Sequence, residues 1–142
     1  MDWTIGRAGP GDAALLVAAG EAVFDGAVTA KGAAAFLADP AQVMVIARHD
    51  DRLLGFASGT FVRHPDKPLS LFVNEVSVRD DAHRQGIGRA LMAAILDIGQ
   101  QAGCGSAWVL TEQDNAPARG LYRAVGWAET EGVVMYDWGS DD

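Results

Sequence analysis

One stretch constrains the fold of this chain more than any other: VNEVSVRDDAHRQGIGRALMAAILDI, residues 73 to 98. Leu69 to Val78 is apolar and β-branched, the composition of a well-buried strand. From Gly86 to Ile98 the apolar residues Ile87, Leu91, Ala94 or Ile95, and Ile98 recur at helical spacing. Between them, Arg79 to Gln85 is a short polar loop that runs into Gly86-Ile87-Gly88. A strand that passes through such a loop into a helix brings unpaired first-turn N–H groups and the positive end of the helix dipole to one place, where glycine lets a ligand approach the backbone. The pattern predicts an anion-binding turn suited to phosphate. A tight turn with close helix packing is the plainer use of the same glycines.

Two nucleotide-binding patterns do not fit. Leu91 stands where a Rossmann fingerprint needs its third glycine, and no Lys-Ser or Lys-Thr pair of a Walker loop follows. With 142 residues and no long Pro- or Ser-rich linker, residues 1–142 are expected to form one domain with an α/β core. The 19 acidic against 11 basic residues disfavour nucleic-acid and anionic-membrane partners and suit a cationic small molecule, although solubility alone accounts for the same acidity. Cys104 is the single cysteine, so no intramolecular disulfide can form, and no Cys or His cluster suggests a metal. The start, MDWTIGRAGPGDAA, lacks the regions of a signal peptide, and no apolar run approaches a membrane span, so a cytoplasmic location is expected.

In chain order, Trp3 to Ala8 alternates as a first strand, and Asp12 is placed to cap a helix carrying Leu15, Leu16, Ala19 and Val23 on one face. Phe24-Asp25-Gly26 ends that helix. Thr29 is placed to cap a second, Ala30 to Leu37, which Asp39-Pro40 stops. Gln42 to Arg48 and Leu53 to Val62 read as a hairpin about His49-Asp50-Asp51, and Arg63 to Pro68 as a loop before the central strand. After the long helix, Gly99 to Gly105 is a turn, with Cys104 partly buried and chemically silent. Trp108 to Thr111 is the next strand. A helix follows, with Asn115 or Ala116 at its cap, Pro117 in its first turn, Leu121, Tyr122 and Val125 on its packing face, and Gly126 as terminator. Trp127 to Glu129 and Val133 to Trp138 read as a closing strand pair about Glu131-Gly132. This order predicts an α/β (α+β) fold, a mixed, mostly antiparallel sheet with helices on both faces.

The central strand, the H-R-Q-G-I-G turn with its helix, and the later N-x-x-A-x-x-L-Y-x-x-x-G-W together resemble the acyl-CoA-binding core and the following helix of the GNAT superfamily of N-acetyltransferases. The resemblance covers the chain from Trp3 to Trp138 and implies the GNAT acyl-CoA N-acyltransferase fold, with acetyl-CoA as cofactor. It implies that the turn, His83, Arg84, Gln85, Gly86, Ile87 and Gly88, cradles the pyrophosphate with backbone N–H groups, and that Val76, Ser77 and Val78 bond the pantetheine like an added strand. His83 departs from the Arg or Gln usual at its position, and Arg84 or Arg89 would compensate. Asn115 matches a family asparagine near the pantetheine or the acceptor end of the site, with a helix cap as its competing role, and the resemblance places Ala118 among the cofactor-binding residues. Tyr122 matches the family tyrosine whose hydroxyl approaches the CoA sulfur, as proton donor to the departing thiolate.

A protonated amine cannot attack a thioester, so the reaction needs a base, directly or through water. Glu75 lies just ahead of the cofactor contacts, where family members often use a carboxylate, and burial between Val73 and Val76 would raise its pKa. An ion-paired strand residue or a substrate anchor are its other readings. Within the superfamily the chain is most similar to the small aminoglycoside 3-N-acetyltransferases, on V-x-x-x-x-R-Q-G-I, on Glu112 followed by D-x-A-P-A-type residues and L-Y-x-x-x-G, and on V-M-Y-D. That resemblance implies transfer to the 3-amino group of an aminoglycoside in a ternary complex, an antibiotic-resistance activity. A cationic acceptor of this kind would meet Glu21, Asp25, Glu75, Glu112, Asp114 and Asp137. Gln113, in place of an expected aromatic residue, departs from the pattern. A polyamine, another small amine or a protein or peptide amine is the alternative acceptor, and an acyl-CoA-binding sensor is the non-enzymatic alternative. Terminal strands in related enzymes often assemble dimers, which implies a homodimer.

Overall fold

The computed structural model describes residues 2–139, so Met1 and residues 140–142 of the expected unit lie outside the described residues. The elements are β1 (Thr4–Arg7), α1 (Ala13–Ala19), α2 (Ala30–Ala38), β2 (Gln42–His49), β3 (Arg52–Val62), β4 (Ser70–Val78), α3 (Ile87–Gln101), β5 (Ser106–Val109) and α4 (Ala116–Ala124). Short 3₁₀ turns lie at Pro10–Asp12, Gly20–Ala22 and Asp80–Ala82. The strands form one sheet in sequence order. Its first three pairings are antiparallel and β4–β5 is parallel, the mixed, mostly antiparallel sheet flanked by helices that the sequence predicts.

Strand alternation divides the core into two layers. On one face Val43, Val45, Ala47, Leu71 and Val73 pack with Leu91, Met92 and Ile95 of α3, and α4 adds Leu121, Tyr122 and Val125. On the other, Met44, Ile46, Leu53 and Phe56 pack with Leu15 and Leu16 of α1 and Ala33 of α2, and Phe24 stacks on Phe56 with ring centroids 4.5 Å apart. Burying a side chain of this size contributes about 1.5–3 kcal/mol. The two layers hold β2, β3 and the first half of β4 rigidly.

Several boundaries differ from the sequence reading, each for a local reason. Helix α1 stops at Ala19 because Gly20 takes φ 50°, and Val23 reaches the core from the turn beyond. Asp12 is the N-cap residue of α1, as expected, but its side chain makes no capping bond to the helix; the carboxylate instead accepts the Gly9 N–H at 2.8 Å and faces Arg48 at 3.4 Å. Thr29 does cap α2, its Oγ1 accepting the Gly32 N–H at 2.9 Å. Gly99, expected to open a turn, lies inside α3, where a Cβ would come within 3.1 Å of Leu71 Cδ2; this glycine serves helix–sheet contact. Strand β5 begins and ends two residues earlier than the sequence suggests.

The largest difference is at the C-terminus. No strand follows α4 among the described residues, so the predicted pair Trp127–Glu129 and Val133–Trp138 is not formed. Glu129 instead meets Arg119 at 3.0 Å and Arg123 at 2.8 Å, and Glu131 meets Arg119 at 3.2 Å. The hydrogen bond from Arg119, then that from Arg123, brings the Glu129 carboxyl down to about 2. These ion pairs hold the chain along α4, and Val133 to Trp138 continues into solvent.

Candidate active site

β4 and β5 pair from Ser70–Ser106 to Val73–Val109 and then part. The cause lies in β4. Gly59 of β3 faces Val73, but the preceding Ser58 faces Glu75, so Asn74 is one residue too many and forms a β-bulge. β5 ends at the same level and the chain leaves through residues 110–115 to α4. Among the described residues, β4 beyond the bulge therefore has a strand neighbour on one side only. The Arg79 N–H donates to Leu54 O at 2.7 Å, which sets the parity of the antiparallel ladder. Glu75 and Ser77 turn their backbone groups to β3, while the N–H and C=O groups of Val76 and Val78 point into the gap.

That gap is a cleft of about 540 Å³. Val76, Val78 and Tyr122 are part of its wall. His83, Arg84, Gly86, Ile87, Gly88 and Arg89 of the turn and helix start line it too. Asn115 and Ala118 of α4 stand opposite β4. Arg84 and Gly86 are both left-handed, with φ 66° and 80°, a turn geometry that aims backbone N–H groups into a concavity. Among the described residues no side chain caps α3, and its first backbone bond runs from the Ala90 N–H to Gly86 O, so the N–H groups of Ile87, Gly88 and Arg89 have no partner within the helix. With Arg84 and Arg89 beside them, these groups make an electropositive site in an acidic protein. Asp81 is tied to Arg52 and, at 3.8 Å, to Arg79, and the hydrogen bond from Arg52 is the main reason its carboxyl titrates low. The start of the turn is thereby fastened to β3.

Not every residue assigned to the cofactor from sequence faces the cleft. Ser77 points to the opposite side of the sheet, where its Oγ donates to Val23 O at 2.6 Å; alternation of period two makes Val76 and Val78 line the gap and turns Ser77 away. Gln85 is absent from the wall, although it belongs to the turn. Asn115 is the N-cap of α4, its Oδ1 accepting the Ala118 N–H at 3.2 Å, and it lines the cleft as well. His83, the unusual residue of the motif, donates from Nε2 to the Val78 carbonyl at 2.9 Å and so joins the turn to the strand end. Burial raises the Tyr122 hydroxyl above its ordinary value, which keeps it protonated. Ala82, Pro117 and Leu121 also line the cleft, and sequence reading gave Leu121 only a packing role. A side chain on the apolar face of an amphipathic helix carries no mark that tells core from cleft.

Glu75 lies on the other face of the sheet, one residue from Val76. The bond between Ser77 and Val23 draws the segment after α1 over this part of β4 and brings Asp25 near Glu75. Burial first, and the Asp25 charge second, raise the Glu75 pKa above 4.5. The six acidic candidates therefore divide. Glu21 is exposed in the turn after α1, Glu112 and Asp114 are exposed in the loop before α4, and Asp137 is exposed in the C-terminal segment; none of these four perturbs Glu75. Next to the pair, the same face of β4 and β5 carries Phe72 stacked on Trp108 with centroids 4.3 Å apart, and Asn74 donating to Thr60 Oγ1 at 3.0 Å. Among the described residues no three His, Cys, Asp or Glu side chains gather to hold a metal, and no helix is long and apolar enough to cross a membrane.

Comparison with known proteins gives the family and the fold. A family model described as Acetyltransferase (GNAT) family matches residues 17–127. Mycothiol acetyltransferase of Pseudarthrobacter chlorophenolicus is 33% identical over 99 residues, 69% of this chain and 31% of the relative. The chain thus spans about a third of the length of that relative. Aminoglycoside N(6′)-acetyltransferase type 1 of Salmonella typhimurium is 28% identical over 96 residues, 64% of this chain and 66% of the relative. A crystal structure of an aminoglycoside acetyltransferase from an uncultured soil metagenomic sample, in complex with sisomicin, has the same fold, with a TM-score of 0.86 and 18% identity over 98% of this chain and 97% of that one. The aminoglycoside N-acetyltransferase AAC(6′)-Iy in complex with CoA gives 0.80 and 21% over 96% and 95%.

Proposed function

Because the chain belongs to the acetyltransferase (GNAT) family, we propose that it transfers the acetyl group of acetyl-CoA to a small amine. The observation that carries this reading is the bulge at Asn74, which opens the backbone edge of Val76 and Val78 opposite the uncapped start of α3. The residues present fit the cofactor. Backbone N–H groups of Gly86 to Arg89, with Arg84 and Arg89 beside them, suit a pyrophosphate, and the open N–H and C=O of Val76 with the N–H of Val78, whose carbonyl His83 already engages, suit the amides of a pantetheine arm lying between β4 and α4. Acetyl-CoA, when bound, supplies an activated thioester carbonyl and a thiolate leaving group.

The chain supplies the rest. Glu75, with its pKa raised by burial and by Asp25, is a stronger base than an exposed carboxylate and takes the ammonium proton directly or through water. Asp25 doubles the negative charge that attracts an ammonium. Tyr122, kept protonated by burial, donates to the departing sulfur. The division of labour across the sheet follows from strand geometry. The amine approaches on the Glu75 face, the thioester lies in the gap, and the missing strand neighbour lets the two meet.

A polycationic acceptor suits the Asp25–Glu75 pair and the net charge of -8. The aminoglycoside acetyltransferases among the relatives and similar folds support an aminoglycoside, and the sequence resemblance supports its 3-amino group. A second reading has its own observation: the mycothiol acetyltransferases among the relatives point to a different small-molecule amine. Acetyl-CoA turnover against aminoglycosides, polyamines, amino-sugar conjugates and peptides separates these readings, and NMR of the product gives the position acetylated. Glu75→Gln is expected to lower kcat by about 10²–10⁴-fold with CoA affinity retained. In the wild type, kcat/KM should fall as the pH drops through the raised Glu75 pKa, above 4.5, since only the carboxylate accepts a proton. An unchanged rate and pH profile in the variant would remove Glu75 from the mechanism.

A further inference from the structure

Ser77 has no part in the chemistry proposed above, yet it is one half of a two-point attachment. In the β3–β4 register it stands directly opposite Phe56, so the two side chains rise next to each other on the face that carries Glu75. The consecutive residues Val23 and Phe24 fasten to this pair. The Val23 carbonyl accepts the Ser77 hydroxyl at 2.6 Å, and the Phe24 ring stacks on Phe56 with centroids 4.5 Å apart. Upstream, the Gly20 carbonyl accepts the N–H groups of both Val23 and Phe24, so the chain reaches the attachment through a tight turn. Downstream, Val28 packs in the layer of α1 and α2, and Thr29 caps α2. Asp25 is the first residue after the attachment, and Glu75 lies one strand repeat from Ser77, about 6–7 Å along β4.

We propose that Ser77 is a positioning residue for the amine acceptor: through the Val23 carbonyl it fixes Asp25 beside Glu75, and so builds a site for two neighbouring ammonium groups rather than one. The inference rests on the reading of Glu75 as the base. Asp25 is exposed and next to Gly26, so the segment that carries it, and not its own packing, decides where its charge lies. The Phe24–Phe56 stack holds that segment at one point, about which it can turn; the Ser77 hydroxyl is the second point. Val23 is 5% exposed, and among the described residues this hydroxyl is the one donor to its carbonyl. Without it a buried carbonyl is left unpaired, and the segment moves outward to water. Ser58, opposite Glu75 on β3, is buried and uncharged, and among the described residues Asp25 is the one charge that raises the Glu75 carboxyl, after burial. An acceptor with two amines on one ring or short chain then presents one ammonium to Glu75 for deprotonation and the other to Asp25.

The first measurement uses the full chain and needs no substrate. With the glutamate side chains isotope-labelled, the Glu75 carboxyl is titrated by NMR, its signal assigned by its loss in Glu75→Gln. Asp25→Asn is expected to lower the midpoint. Ser77→Ala is expected to lower it as well, and in the Ser77→Ala background Asp25→Asn is expected to add little, because the charge has already moved away. The second measurement is kinetic. With the diamine or polyamine turned over best among the acceptors above, Ser77→Ala should raise KM roughly tenfold, the effect of withdrawing one carboxylate by a few Å. KM for a monoamine of the same skeleton, kcat above the Glu75 midpoint and CoA affinity should change little. An Asp25→Asn shift of equal size with and without the Ser77 hydroxyl, or a Ser77→Ala midpoint equal to that of the wild type, would overturn the proposal. Coupled titrations with no amine acetylated would instead overturn the acetyl-transfer reading and leave the attachment through Ser77 standing.

Discussion

The first half of β4, Ser70 to Val73, is bonded along both edges, to β3 and to β5, and its Leu71 and Val73 are fully buried. The second half, Glu75 to Val78, is bonded along one edge, and each of its residues is half-buried. Asn74 separates them. The extra residue shifts the register by one, so a single strand yields a core segment on one side of the bulge and a site on the other. Stability and candidate chemistry are thus arranged in series along nine residues. A site built this way inherits a rigid frame while keeping backbone groups open to a ligand.

The contrast can be broken most forcefully in the core half. Leu71→Ala should cost about 2–5 kcal/mol in denaturant unfolding, since the side chain is fully buried in the layer beneath α3 and its loss leaves a cavity. Val78→Ala, in the open half, should cost roughly 1 kcal/mol. Equal losses would mean that the two halves are not distinct. A smaller effect is expected in the turn that faces the open half. Gly86→Ala should destabilise by about 1–2 kcal/mol, because the residue is left-handed at φ 80° although an added Cβ would meet nothing within 4 Å. Calorimetry should show weaker CoA binding by the same variant, and unchanged stability would show that the turn does not need its left-handed residue. The finest adjustment is electrostatic. Asp25→Asn removes the lesser of the two causes that raise Glu75, so the acid limb of kcat/KM should move to lower pH while burial still holds it above 4.5. A limb that stays in place would mean that the Asp25 charge does not reach Glu75.

Much of the frame was legible before any coordinates. The β-branched run before a polar loop and a helical period marks β4, the turn and α3, and Thr29 and Asn115 read correctly as caps because each is a local event spanning three residues. Local signals misled where the partner is distant. Gly99 looks like a helix terminator until Leu71 is seen against it, and Asp12 holds the N-cap position while its carboxylate is claimed by Arg48 and Gly9 rather than by the helix. In the same way Val133 to Trp138 has the composition of a strand, but a strand exists only where another edge accepts it.

The sequence by itself determined the order of elements from β1 to α4, the helix start behind Gly86-Ile87-Gly88, and the residue types of the site, since these depend on neighbours within a few positions. Only the tertiary structure decided which way they face. That Asn74 is a bulge, that Val76 and Val78 open into a cleft while Ser77 turns from it, that Asp25 rather than Glu21, Glu112, Asp114 or Asp137 accompanies Glu75, and that His83 bonds the Val78 carbonyl all depend on strand register and on long-range packing. A side chain's face along a strand changes with a single residue of slip, and a linear pattern of residue types does not record where that slip occurs.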